Sequence, residues 1–405
     1  IPDELLDAFM LCGTREDVAA KAMAYHAQTG LQLPLLQPVI QEDDHIEELL
    51  AAATLYAELP APAQSKAPEP PVPAIAAVGA AASAAPAAEA GSLADDRRLT
   101  GSERVRRRLA ATWEILRPFA YTASVIPVLA GAALAVVDGA FSPLPFIAAL
   151  IGGVLLHSGT NIVNEVYDVR KGVDTIVSPR GSHAIVKGRM TERSAFVTAG
   201  LAFLLAVVIG LYLIALRGPA IIVLGLLGLI GGWGYTAPPF QYKYRALGVP
   251  LVFLLMGPLM VVGSYFAITG AWSLPALVLS IPVGCLVAAI LHGNEWRDIG
   301  EDSRAGITTL SSRVGKEWAH YGYVALVLGA YITLGLAVAF RLLPPATLLA
   351  ILSLPFLAQV VRSAELGATG QARAIAMIDV QTARLHLAFG SLLVLGVLVS
   401  AWIHG

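Results

Sequence analysis

Two short stretches combine carboxylates, carboxamides and basic residues at a spacing that can do chemistry. The first is NEVYDVRKGVD, from Asn164 to Asp174. Asn164 and Asp168 are four residues apart, so on a helix they share one face, with Asn161 a turn earlier. Gly172 is the expected helix stop, where the chain curls back to bring in Asp174. The second stretch is NEWRDIGEDSRAG, where Asn294, Asp298 and Asp302 again repeat every four residues. Each stretch closes a long apolar run. Carboxylates beside hydrocarbon are costly and mark functional sites. One such run alone reads as a solvated helix end; two copies at matched depth argue against that. Facing clusters of oxygen acceptors suit a hard divalent cation. Mg²⁺ takes oxygen ligands, keeps some waters and binds through one or two carboxylates plus substrate phosphate oxygens. The interleaved basic residues Lys171, Arg180, Lys187, Lys243, Arg245 and Arg297 can meet the outer phosphate oxygens. Acids for metal and bases for phosphate point to diphosphate chemistry. No P-loop or kinase pattern accompanies them, so the diphosphate reads as a leaving group on a lipid rather than part of a nucleotide.

The elements that must hold these residues are apolar. The chain has 405 residues, 56% hydrophobic and 14% charged, with a mean hydropathy of +0.69. Soluble domains carry about 25% charged residues. Blocks near the ~20 residues a bilayer span needs read at 119–137, 145–166, 194–216, 219–236, 248–269, 273–292, 319–340, 344–361 and 385–403, and most lack a polar stripe. Nine spans and a cytoplasmic N-terminus put fifteen Lys and Arg residues in loops of one side and leave only Arg217 and Arg341 on the other. That bias, with the collar Arg97, Arg98, Arg104, Arg106, Arg107 and Arg108, follows the positive-inside rule. The reading is an integral protein of the cytoplasmic membrane. Both acidic motifs face the cytoplasm, the C-terminus lies outside, and the partner is the lipid bilayer rather than nucleic acid. Cys12 and Cys285 imply neither a disulfide framework nor a metal knuckle. His157 and His292 read as packing or local hydrogen-bonding residues, and Tyr235 in YTAPPF as an aromatic face that could line a cavity and steady a cation.

Three regions follow. Residues 1–56 read as a short soluble helical fragment, with GTREDVAAKAMAYHAQTG carrying an N-cap threonine and a glycine stop. Residues 57–111 form a Pro/Ala-rich linker and a basic juxtamembrane segment. Residues 112–405 are the membrane domain. The chain starts at Ile1 and reads as a fragment or processed product. Its opening, IPDELLDAFMLCGTREDVAAKAMAYHAQTG, resembles the C-terminal end of luciferase-like, deazaflavin-dependent oxidoreductases, without a catalytic motif.

At the two acidic motifs the chain resembles the UbiA superfamily of intramembrane prenyltransferases, over nearly all of 112–405. Within it, the likeness is to the 1,4-dihydroxy-2-naphthoate polyprenyltransferases of menaquinone biosynthesis. NEVYDVRKGVD has the spacing of that branch, and RPFAYTASVIPVLAGAALA, YTAPPFQYKYRALG and GPLMVVGSYFAITG are similar to its first helix, its loop after the fourth and its later segment. Glu165 stands where many relatives have aspartate, and SPRGSHAIVKG departs further. The resemblance implies an all-α fold of nine transmembrane helices around a central cavity capped by loops. It implies two Mg²⁺ ions, one on Asn164 and Asp168, the other on Asp298 and Asp302, with Asp174 and Asn294 assisting. Arg117, Lys171, Lys243, Arg245 and Arg297 become candidates for contact with the diphosphate of a polyprenyl diphosphate. The implied reaction alkylates an aromatic acceptor, with a naphthoate also losing CO₂. The same fold acting on 4-hydroxybenzoate, homogentisate, chlorophyllide, haem or a lipid alcohol is the alternative, and a cation-coupled transporter the remote one.

Overall fold

Backbone N–H and C=O groups in hydrocarbon find no water, so an apolar run must satisfy them within itself, as a helix. The computed structural model describes residues 101–174 and 184–404. Among them it contains helices and no strand, only one isolated bridge between Arg245 and Thr308. The expected fragment 1–56, the linker from 57, Arg97, Arg98 and Arg180 lie outside the described residues.

An entry helix, α1 (Gly101–Leu116), runs through the expected domain boundary at 111–112. It precedes α2 (Thr122–Val137), α3 (Pro143–Arg170), α4 (Glu192–Arg217) and α5 (Ala220–Gly234). Then come α6 (Gly248–Thr269) and α7 (Leu274–Arg297), the short α8 (Ile299–Arg304) and α9 (Leu310–Val314), and α10 (Lys316–Ala339). The last two are α11 (Pro345–Ala368), whose first turns are 3₁₀, and α12 (Ile378–His404). Seven of them, α3, α4, α6, α7, α10, α11 and α12, are long and apolar enough to cross a membrane. The remaining two expected spans are α2 and α5, of 16 and 15 residues. At 1.5 Å per residue these reach about 24 and 22 Å, short of a ~30 Å hydrocarbon core.

The outer surface is apolar: Leu201, Leu204, Leu205, Val208 and Leu211 of α4 and Val223, Leu226, Leu227 and Ile230 of α5 all stand exposed. A belt of that extent belongs in lipid, and the chain is an integral membrane protein. Inside, α2 packs against α6, α12 and α3, and α7 packs along α10 and α12. Small residues let the backbones close up, as membrane helices require. A Cβ on Gly257 would sit 2.8 Å from the Gly284 Cα and 2.9 Å from the Ser280 carbonyl oxygen. Around Gly257 the helix widens into a π segment, Leu255–Leu259, containing Pro258. Such segments often occur at functional sites, and Leu255, Met256 and Leu259 line the central cavity. Trp296, fully buried and stacked 6.0 Å from Tyr323 on α10, fixes the last turn of α7 and with it the second motif.

Candidate active site

The first motif is shaped by how α3 ends. Gly172 has φ 71°. The Gly172 N–H bonds the Val169 carbonyl at 3.0 Å and the Val173 N–H bonds that of Asp168 at 2.9 Å, a Schellman stop. The reversal returns Asp174, whose N–H lies 3.3 Å from the same Asp168 carbonyl. At the second motif the Asp298 carbonyl accepts the N–H groups of Glu301 and Asp302, both at 2.9 Å. Asp302 is thereby turned inward, where the Thr309 hydroxyl donates to it at 3.2 Å. Thr309 is itself fixed by a capping box with Ser312 at the start of α9.

The six motif residues Asn164, Asp168, Asp174, Asn294, Asp298 and Asp302 line one cavity of about 400 Å³, together with Arg117, Lys243, Arg297 and Tyr235. In each half a basic side chain lies between the asparagine and the aspartate. The Lys243 ammonium donates to Asn164 Oδ1 at 3.1 Å and to Asp168 Oδ2 at 2.6 Å. The Arg297 guanidinium donates to Asn294 Oδ1 at 2.5 Å and to both oxygens of Asp298 at 2.6 Å. It also pairs with Asp379 on α12 at 2.9 Å. Arg117, at φ 51° in the break before α2, reaches Glu165 at 3.2 Å and Asp174 at 3.8 Å. Below this polar end the cavity is aliphatic, walled by Leu224, Leu255, Met256, Met260 and Ile290.

Burial sets the electrostatics. It pushes Asp302 up to about 7, with Lys243 opposing and Asp298 adding to the shift. Asp174 is also raised, first by burial and then by Asp168, against the pull of Arg117 and Lys243. Burial alone would lower Lys243, but Asp168, Asp174 and Asp302 outweigh it and its pKa is raised, so it stays an ammonium. Carboxyl groups outnumber bases here and burial resists their ionisation, a penalty that a cation bound among them would relieve.

Among the described residues no three Asp, Glu, His or Cys side chains converge into a ready-made metal cage. The donor set nevertheless fits Mg²⁺, which uses few protein carboxylates and completes its shell with water and phosphate oxygens. Lys243 and Arg297 stand as the positive charge between those donors.

A sequence profile of the UbiA prenyltransferase family matches residues 124–378. The chain belongs to the UbiA prenyltransferase family. Its UbiA domain is similar to the 1,4-dihydroxy-2-naphthoate octaprenyltransferase of Bacillus subtilis (strain 168), 31% identical over 288 residues, 71% of this chain and 92% of that protein. It is 34% identical over 235 residues to the UbiA prenyltransferase domain-containing protein 1 of Dictyostelium discoideum, covering 54% of this chain and 68% of the relative. A 2-carboxy-1,4-naphthoquinone phytyltransferase of Synechocystis is 28% identical over 61% of this chain and 80% of its own length. Among solved structures, a UbiA homolog from Aeropyrum pernix K1 superposes with a TM-score of 0.51 at 18% identity, over 69% of this chain and 98% of that one. The protein is therefore a prenyltransferase with the UbiA fold.

Two of the expected basic residues lie away from the UbiA cavity. The Arg245 guanidinium donates to the Pro239 carbonyl at 3.3 Å, on the exposed side. Lys171 is exposed, with its ammonium 4.7 Å over the Tyr244 ring. Neither lines the cavity. The loop explains the difference. Gln241 and Ala246 take positive φ, and the Ala246 N–H bonds the Thr308 carbonyl at 2.9 Å, which turns Lys243 inward and Arg245 out. Sequence reasoning missed Tyr244, whose hydroxyl donates to Asp168 Oδ1 at 2.8 Å, and Asp379. A single aspartate opening the last apolar segment was the available signal for Asp379. His292 does hold local structure, bonding the Ala319 carbonyl at 2.9 Å and Ser311 at 3.2 Å.

Proposed function

We propose that this prenyltransferase moves a polyprenyl group from a polyprenyl diphosphate to an aromatic acceptor, 1,4-dihydroxy-2-naphthoate, with loss of CO₂. The observation that carries this reading is the cavity itself. Two Asn/Asp pairs from separate parts of the chain meet at its polar end, and a long aliphatic wall lies below. The naphthoate assignment is supported by the Bacillus relative, matched over 92% of its length, and by the Synechocystis phytyltransferase.

In this reading Asn164 and Asp168 hold one Mg²⁺ and Asp298 and Asp302 the other, with Asp174 and Asn294 assisting. Bound there, the metal supplies neutralisation of charge on the departing diphosphate. The Lys243 ammonium and the Arg297 guanidinium leave the motif oxygens and take the outer phosphate oxygens, joined by Arg117. These bases stabilise the leaving group as the bond between the prenyl C1 and oxygen breaks and the diphosphate takes the electron pair. The Tyr235 face steadies the allylic cation, and the aliphatic wall excludes water that would trap it as a prenol. A ring carbon then bonds to C1, and the ring carboxylate leaves as CO₂, its bonding electrons restoring aromaticity. The loop charges support a cytoplasmic polar end, an external C-terminus and nine crossings in which α2 and α5 span a locally thin bilayer.

The test is diphosphate release from a polyprenyl diphosphate in membranes carrying the protein. Release is expected to require both Mg²⁺ and an aromatic acceptor, and to vanish in Asp168→Asn and Asp298→Asn variants that still fold in detergent. Full release by either variant would refute the assignment.

A further inference from the structure

His157 sits on the cavity face of α3, seven residues before Asn164, so about 10 Å deeper at 1.5 Å per residue. It is one of the lining residues. Its Nδ1 lies 2.6 Å from the hydroxyl of Ser124 on α2. Ser124 is fully buried, and His157 is its sole hydrogen-bond partner among the described residues. A buried hydroxyl is satisfied by donating its proton. Donation to Nδ1 is the arrangement that satisfies the Ser124 proton, and it puts the ring's own proton on Nε2. No described group bonds Nε2. The ring is held edge-on to Tyr121, with centroids 5.8 Å apart, and Tyr121 is tied to Ser158 at 2.8 Å. A rigid histidine thus offers one N–H donor to the cavity.

The two substrates differ in what they offer such a donor. A polyprenyl chain is hydrocarbon and has no atom to accept an N–H bond, whereas an aromatic acceptor carries oxygen substituents that do. From this geometry we infer that His157 is the binding residue for the aromatic acceptor, its Nε2–H donating to an oxygen substituent of the ring, with Ser124 as the positioning residue that sets the tautomer. The inference rests on the prenyltransfer reading and adds to it the place where the acceptor lies.

The experiment uses the whole protein in detergent with Mg²⁺. It measures binding of two unreactive probes by their fluorescence, 2-naphthoate with only a carboxylate and 1-naphthol with only a hydroxyl, alongside KM values for acceptor and polyprenyl diphosphate. His157→Phe is expected to weaken one of the two probes roughly tenfold or more, the loss of one hydrogen bond to a charged or polar oxygen. It should raise the acceptor KM by a similar factor and leave the KM for polyprenyl diphosphate unchanged. His157→Gln, which returns an N–H near the Nε2 position, should restore most of the affinity. The probe that weakens identifies the oxygen. Unchanged binding of both probes in His157→Phe would overturn the inference, as would equal shifts in both KM values or failure of His157→Gln to rescue a folded protein. Failure of the unaltered protein to bind either probe would instead remove the acceptor reading of the cavity, and the inference with it.

Discussion

Replacing Lys243 with Met separates two roles that the structure gives one side chain. Its ammonium bonds Asn164 and Asp168 at 3.1 and 2.6 Å, and the side chains of Lys243 and Asp168 are only 10% and 4% exposed. Removing one partner of a buried ion pair leaves an uncompensated charge and costs about 3–5 kcal/mol. Lys243→Met should therefore unfold at a lower temperature than the unaltered protein when no divalent ion is present. Adding Mg²⁺ should reverse the order of effects. In the unaltered protein the ion must displace the ammonium from the same oxygens, at a cost of at least one charge-assisted hydrogen bond, about 1.5–3 kcal/mol. Without the lysine that competition is gone. Mg²⁺ alone should then bind roughly 10- to 150-fold more tightly to the variant, read as a thermal shift against Mg²⁺ concentration in detergent. Turnover should fall by a comparable factor, because the diphosphate loses a cationic partner. A variant with unchanged or weaker Mg²⁺ affinity would refute the idea that Lys243 occupies the cation's place.

Three other perturbations follow from the same geometry. Tyr244→Phe removes the 2.8 Å bond to Asp168; a hydrogen bond to a charged group is worth about 1.5–3 kcal/mol, so the variant should unfold at a lower temperature and turnover should drop at least tenfold, and undiminished turnover would show the bond to be idle in the reaction. Burial raises Asp302 from 3.8 to about 7, so the folded protein holds that proton more tightly than the unfolded chain and loses stability as pH rises from 3.8 towards 7. A bound cation removes the penalty, so Mg²⁺ should raise the unfolding temperature more at pH 8 than at pH 6; the opposite order would contradict the assignment of Asp302 to the metal. Gly257→Val should destabilise by more than the 1–3 kcal/mol typical of overpacking, because its Cβ meets the backbone of α7 at 2.8–2.9 Å; an unaltered unfolding temperature would mean that α6 and α7 can separate freely.

The sequence was most legible where one physical constraint dominated. Hydrocarbon thickness dictates long apolar runs, and seven of the nine expected spans appear as helices of sufficient length. The fourth-residue repeat put Asn164 with Asp168, and Asn294 with Asp298, on shared helix faces, and both pairs line the cavity. Gly172 ends α3 as its type suggests. Loops were less legible. Lys243 and Arg245 are two residues apart and carry the same charge, yet only Lys243 turns inward, because left-handed backbone at Gln241 and Ala246 and a bond to Thr308 decide the matter. None of these is visible in residue type. His157 reads as a packing or local hydrogen-bonding residue because no second histidine stands at ligand spacing, and it does bond Ser124; its place on the cavity wall depends on how α2 meets α3, which a single chain segment does not reveal. Asp379 escapes a sequence reading because it lies before the last apolar block, which reads from 385. The pairing with Arg297 makes it part of the polar end.

Prenyl transfer onto a naphthoate gives a product of distinctive mass. Its most direct test supplies membranes containing the protein with Mg²⁺, a polyprenyl diphosphate and equal amounts of 1,4-dihydroxy-2-naphthoate and 4-hydroxybenzoate, and reads the lipid products by mass. The expected product is a polyprenyl naphthalenediol or its quinone lacking the carboxylate. A prenylated hydroxybenzoate that keeps its carboxylate, with no naphthalene product, would contradict it.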